Sequence, residues 1–318
     1  MPEKAAITLF RLSYELAPHF GEHSEKELRK IADVYEEKLK PLARRGLEGI
    51  SNPEIVRYDK GKVTYLNGDV RVLAKLTAER LGVGATVSKN VSYLGSEGAF
   101  WDYLEETIPD RNIRSLVFVG GSYHDVKYSG PSVERADEIA RRKMTDHGAT
   151  IGNISIFHRQ DEDVRLYKKT RAGADFFISQ LQFELSYTIT TIHGYRRLCE
   201  AHGIEPKPIY LSFAPLLQDA DVERYRKLLR DGEELLPSEV VSAILSDKTA
   251  EGRIGRSIAN ADKILGTTLR RIRNVPLGVN VEQIKEHNLE GASRMAVHFA
   301  NLLRDMHLAE NHACVEGG

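Results

Sequence analysis

The stretch Ala172-Gly173-Ala174-Asp175-Phe176-Phe177-Ile178-Ser179-Gln180-Leu181-Gln182-Phe183-Glu184 reads as the end of a charged helix followed by one strand. The strand is apolar at first and turns polar towards its C-terminal end. Side chains alternate across a strand. Phe177, Leu181 and Phe183 therefore fall on one face, and Gln180, Gln182 and Glu184 on the other. A greasy outer face with an amide-amide-carboxylate inner face suits a barrel strand that carries ligand-binding groups to its mouth. The alternative is a sheet strand whose polar residues face water.

Strand and helix alternate on both sides of this stretch. Strands are predicted at 7–14, 47–51, 83–88, 115–119, 150–157, 208–214 and 275–281. Helices are predicted at 25–45, 96–107, 132–147, 161–171, 186–202, 219–230, 237–246, 250–272 and 289–306. Such alternation implies parallel strands with helical crossovers. Eight units in this length favour a closed (β/α)8 TIM barrel over an open doubly wound sheet, and no GxGxxG follows a strand. The barrel is expected as a single domain over 1–308, with a flexible C-terminal tail at 309–318. Between 55 and 73, short alternating runs flank Asp59-Lys60-Gly61-Lys62 and precede Asn67-Gly68-Asp69, which reads as a hairpin inserted after the second strand.

The chain has 318 residues, 41% hydrophobic and 29% charged, so it can bury a large core. Its 45 Lys+Arg against 46 Asp+Glu leave no electrostatic footprint for nucleic acid or an anionic membrane. No apolar run approaches a membrane span, and Met1-Pro2-Glu3-Lys4 shows no signal-peptide pattern. The two cysteines, Cys199 and Cys314, have neither metal spacing nor disulfide-framework density. The expectation is a cytoplasmic protein with no metal, with room for a homo-oligomer.

Chemistry in such a barrel sits at the C-terminal ends of the strands. The first strand ends Arg11-Leu12-Ser13-Tyr14-Glu15-Leu16, with Arg11, Ser13 and Glu15 on the inner side. A carboxyl at that position among apolar neighbours suits a general acid with a raised pKa, although a structural salt bridge would explain it equally. Gly120-Gly121-Ser122 after the fourth strand would let a flat or phosphorylated ligand approach the backbone. Gly-Gly is also an ordinary turn. His158 beside Arg159 reads first as a surface pair. The eighth strand offers Asn280 and Glu282, and Lys168 and Lys169 close the helix before the quoted strand.

With these residues in view, the chain resembles the methylenetetrahydrofolate reductase family of (β/α)8-barrel flavoenzymes. Tyr14-Glu15-Leu16-Ala17-Pro18 is similar to the family's first-strand Phe-Glu-Phe-Phe-Pro motif. Ala172-Gly173-Ala174 followed by Ser179-Gln180 is similar to its Ala-Gly-Ala and Thr-Gln pattern. The resemblance covers most of the chain and is clearest from 116 to 216. It implies reduction of 5,10-methylenetetrahydrofolate to 5-methyltetrahydrofolate with NAD(P)H through bound FAD, as a step of one-carbon metabolism and methionine biosynthesis. It implies Glu15 as the general acid and Gln180 as a contact to both folate and flavin. It places Gln182, Phe213 and Asn280 at the substrate. It places Gly120, Gly121, Ser122, Tyr128, His158 and Lys169 at the cofactor, with Lys169 near the nucleotide phosphate.

Two departures bear on the flavin. The family's fourth strand ends Arg-Gly-Asp, whereas Gly120-Gly121-Ser122 stands here, with Asp125 three residues on. The family's third strand ends in a histidine, and Ala85-Thr86-Val87-Ser88 has none. In its fourth- and seventh-strand ends, Val119-Gly120-Gly121 and Leu211-Ser212-Phe213, the chain is similar to a branch that transfers hydride directly from nicotinamide. A pterin-binding methyltransferase and a non-catalytic folate-binding subunit are the remaining alternatives.

Overall fold

A computed structural model describes residues 11–59, 62–108, 113–121, 126–144, 148–229 and 235–315. The barrel strands are β1 (Leu12–Glu15), β2 (Leu47–Asn52), β5 (Gly84–Asn90), β6 (Ile113–Val119), β7 (Thr150–Ser155), β8 (Phe176–Leu181), β9 (Ile209–Phe213) and β10 (Leu277–Glu282). They pair in sequence order, all parallel, and β10 returns to β1 to close the barrel. This is the (β/α)8 barrel expected from the alternation. Helices α1 (Glu25–Ala43), α2 (Val70–Leu81), α3 (Glu97–Thr107), α4 (Val133–Met144), α5 (Glu162–Ala172) and α6 (Ser186–Ala201) follow the first six barrel strands. Among the described residues, helices α7 (Asp219–Leu229), α8 (Ser238–Leu245) and α9 (Ala250–Arg271) lie between β9 and β10. The closing helix α10 runs Leu289–Val315, past the helix end expected at 306 and through most of the segment expected as a tail.

The insertion after β2 is a two-stranded antiparallel hairpin, β3 (Val56–Asp59) and β4 (Lys62–Tyr65). It is shorter than expected, because a helix takes over at Val70. The helix α2 was legible in principle. Asp69 caps its N-terminus by accepting from Arg71 N–H, Gly82 closes it at φ 69°, and Val70, Leu73, Ala74, Thr77, Ala78 and Leu81 are buried at helical spacing. Helix α1 starts at a capping box in which Glu27 accepts from Ser24 N–H at 2.8 Å.

Outer faces of the strands make the main core against the helices. Tyr14, Phe177, Leu211, Phe213 and Val281 belong to one buried cluster with residues of α1, α6, α9 and α10. Inner faces differ from the bulky branched filling usual in this fold. By alternation Ser13, Ser51, Thr86, Ser115, Ser212 and Asn280 point into the barrel, so much of its interior is small and polar beside the bulkier Phe176, Ile178 and Tyr210. Leu181 and Phe183 after β8, Ala214 and Leu216 after β9, and Ile284 after β10 form one cluster with Val222, Tyr225 and Leu229 of α7. Helix α7 therefore lies across one side of the C-terminal mouth. Buried Asp221 clasps this arrangement, accepting from Leu217 N–H at 3.0 Å, Gln218 N–H at 3.2 Å and Asn288 Nδ2 at 3.3 Å.

Phe213 was expected at the substrate, and this is corrected. It is buried and stacked on Phe299 of α10, ring centroids 5.6 Å apart. Its neighbours Tyr210 and Ser212 face the interior, so alternation turns Phe213 to the helices. Truncation to Phe213→Ala should cost about 3–5 kcal/mol of stability, read from denaturant unfolding. Ligand binding by the folded fraction should be unchanged.

Candidate functional site

Closure of the barrel sets the geometry of the mouth. Register pairs Ser13 with Asn280 and Glu15 with Glu282 across β1 and β10. On the other side Glu15 is level with Ser51 of β2. Both carboxyls point inwards at the C-terminal strand ends on strands about 4.8 Å apart. Both are partly accessible from the mouth. Burial raises the Glu15 pKa well above the usual carboxylate range, and the Glu282 carboxyl raises it further. Ser51 Oγ, at 3.5 Å from Glu15 Oε2, offsets this only weakly. Burial also pushes Glu282 up to about 7, against stabilising hydrogen bonds from Ser212 and Asn280. Two carboxyls this close in a desolvated place cannot both ionise readily. Burial and mutual repulsion therefore both favour the protonated form of the pair.

Asn280 is fully buried one layer beneath. Its Nδ2 donates to Ser212 Oγ at 3.1 Å, and its Oδ1 has no hydrogen-bond partner. It steadies Glu282 from below and lies too deep to line the mouth. Glu282 was noticed in the sequence as a strand-end residue, but its pairing with Glu15 needed knowledge that the last strand closes on the first.

Gln180 lies where β8 shifts register, between Ile178 and Leu181, and its side chain reaches α7 rather than a neighbouring barrel strand. Its Nε2 donates to Leu228 O of α7 at 2.9 Å, which fastens that helix over the mouth. Gln182 and Glu184 do not share its face, and this corrects the expected inner row. Register shifts between Ile178 and Leu181, and β8 ends at Leu181, so strict alternation stops. Ser179 Oγ accepts from Ser212 N–H at 2.9 Å beside this bulge. Gln182 turns to α6, where its Oε1 accepts from Thr188 Oγ1 at 2.6 Å and its Nε2 donates to Gln180 O at 2.5 Å. With both ends of its amide held, it is a pin between β8 and α6. Glu184 accepts from Ser186 N–H at 2.8 Å at the start of α6.

The residues expected around a flavin are spread over the β6–β7 side. Gly121 does permit a close approach, but by the chain's own Tyr128. A Cβ at Gly121 would lie 2.1 Å from Tyr128 Cζ. That ring also meets Tyr93 edge-on, centroids 5.2 Å apart. Gly120 packs against Val133. Ser122, with Asp125, lies outside the described residues. His158 meets Tyr187 edge-on at 6.4 Å. Lys169 is 7% exposed, its Nζ donates to Ile154 O at 2.8 Å, and Glu162 Oε1 is 4.0 Å away. That ammonium is thus already held by a backbone carbonyl and lies near a carboxylate. The described side chains among them do not form a cradle for a flavin dinucleotide as placed.

Among the described residues no cluster of His, Cys, Asp and Glu could hold a metal, and no helix is long and apolar enough to cross a membrane. A cavity of about 180 Å³ opens at the opposite, N-terminal end of the barrel. Chemistry is assigned to the mouth, because strand ends carry it in this fold and the paired raised acids are there.

No family model matches the chain, and no curated protein matches it by sequence. Among solved structures, an uncharacterized protein from Clostridium thermocellum, described as binding two copies of 5-methyl-5,6,7,8-tetrahydrofolic acid, superposes with a TM-score of 0.69 at 16% identity. That match covers 92% of this chain and 95% of that one. The monooxygenase RslO1 from Streptomyces bottropensis matches with a TM-score of 0.53 at 15% identity, over 94% of this chain and 100% of its own. At these identities the likeness establishes a shared barrel fold.

The acid pair makes a prediction about pH. A carboxyl whose native pKa lies above its unfolded value favours folding while protonated. Its contribution is complete below the unfolded value of 4.5 and is lost as pH rises through about 7. Wild-type stability should therefore fall across this interval, and Glu282→Gln should remove part of the fall. Denaturant midpoints at a series of pH values measure the difference.

Proposed function

We propose that the protein binds a reduced folate across the C-terminal mouth and reduces the one-carbon bridge of 5,10-methylenetetrahydrofolate to a methyl group, with a reduced nicotinamide as hydride donor. The observation that carries this reading is the Glu15–Glu282 pair, whose protonated form is favoured where a bound ligand would meet it. The solved barrel with bound 5-methyltetrahydrofolate supports the ligand class.

The bridge carbon joins two nitrogens and opens only when one becomes a better leaving group. Glu15 protonates that nitrogen, giving an iminium whose carbon accepts the hydride. The products are the 5-methyl folate and the oxidised nicotinamide, so two electrons and one proton balance. Glu282 holds Glu15 protonated through its nearby charge, and Ser51 keeps the carboxyl in place. Gln180 and the overlying α7 wall the β8 side and exclude water. Direct transfer from the nicotinamide is favoured over transfer through bound FAD, because the Lys169 ammonium is enclosed beside Glu162.

Glu15→Gln keeps shape and removes the proton. It should lower folate reduction by at least about a hundredfold while 5-methyltetrahydrofolate still binds, measured by turnover and by calorimetric titration. Near-normal turnover would refute the role of Glu15. A purified protein that stays colourless after incubation with excess FAD, yet oxidises NADH or NADPH with folate, supports direct transfer. A flavin spectrum with turnover that depends on it would replace that part of the reading.

A further inference from the structure

Among the described residues, the N-terminal end of the barrel is only partly filled. Phe176 lies across Gly152, where a Cβ would come within 2.3 Å of the ring, and Tyr210 lies across Gly278, where it would come within 2.8 Å. The two rings meet edge-on, centroids 5.7 Å apart, and wall one side. Opposite them the inner residues are Ser13, Gly49, Thr86 and Ser115, which are too small to fill the space. Thr86 and Ser115 hydrogen-bond to each other through their hydroxyls. The cavity of about 180 Å³ is the result.

Its rim is charged. Arg11 Nη1 lies 3.7 Å from Glu48 Oε2, too far for a hydrogen bond, and the two side chains are 43% and 48% exposed. Burial raises the Glu48 pKa and the Arg11 charge lowers it, while Arg11 also hydrogen-bonds to the Tyr210 hydroxyl. A guanidinium and a half-exposed carboxylate thus stand side by side over a slot with an aromatic wall.

We propose that this slot is a second ligand site, for a flat heterocycle whose edge places paired N–H donors beside a carbonyl. Such an edge is that of a 2-amino-4-oxopyrimidine, the head of a pterin. The N–H pair would meet Glu48, the carbonyl would meet Arg11, and the ring faces would fill the gap beside Phe176 and Tyr210. Planar, bidentate pairing of this kind confers orientation as well as affinity. The volume is below that of a drug-sized pocket and suits one head group rather than a whole tailed ligand. This end of the fold carries stability rather than catalysis, so the bound molecule would be held and not converted. The inference goes beyond the mouth reading and uses different residues.

The test is calorimetric titration with 6-methyltetrahydropterin, which lacks a tail, against wild type, Glu48→Gln, Thr86→Leu and Glu282→Gln. All four are first checked for native circular dichroism and melting temperature. Glu48→Gln changes a half-exposed side chain, so it stays informative if the cavity-filling Thr86→Leu fails to fold. The expected result is a binding event that Glu48→Gln weakens at least about tenfold, the scale of a lost charge-assisted contact, that Thr86→Leu abolishes, and that Glu282→Gln leaves intact. No binding to wild type, meaning a water-filled cavity, would overturn the proposal. So would binding indifferent to Glu48→Gln, or binding lost in Glu282→Gln alone. Failure here leaves the Glu15 turnover result untouched, and failure of that result leaves this one standing.

Discussion

The pairing of the last barrel strand with the first is the constraint from which the site follows. Residues distant in sequence come level only because β10 closes on β1. Tyr14 and Val281 then face the helices, while Glu15 and Glu282 face inwards side by side. Neither carboxyl would be unusual alone on a sheet edge. Together in a desolvated mouth, each raises the cost of ionising the other, and the protonated form is favoured. Ser212 and Asn280 beneath, and Ser51 alongside, temper the effect without cancelling it.

The two ends of the barrel are built differently. At the C-terminal mouth, α7 leans over β8 to β10, held by Gln180 to Leu228 O and by the Asp221 clasp. That end has acids poised to move a proton. At the N-terminal floor, among the described residues, two aromatic rings fill part of the section and small hydroxylated residues leave part of it open. The same departure from a bulky branched interior serves both ends. It admits polar groups near the acids and leaves space below them.

Much of this was legible in the sequence because it depends on local periodicity. The alternation of strand and helix, the hairpin around 60, and the inward orientation of Glu15 all follow from side-chain period. What failed depended on where periodicity stops. The row Gln180, Gln182, Glu184 breaks because β8 bulges and ends, so Gln182 pins α6 and Glu184 caps it. Phe213 is the last residue of its strand, and strand alternation turns it into the helix layer. Gly120-Gly121 suggested a flat ligand, and the flat group was the chain's own Tyr128, which no local pattern announces. Helix α2 carried cap and period signals that were masked by reading its first turn as hairpin. The Glu282 partnership was out of reach, since it is a product of closure and not of spacing.

The most direct test of the account is the protonation state of the carboxyl pair. Infrared spectra at neutral pH should show the carbonyl stretch of a protonated carboxylic acid in wild type, shifted on exchange into heavy water. Part of that band should be missing from the difference spectra of both Glu15→Gln and Glu282→Gln. If both variants leave the protonated-carboxyl band of wild type unchanged at neutral pH, the two glutamates are ionised and the proposed proton donor does not exist.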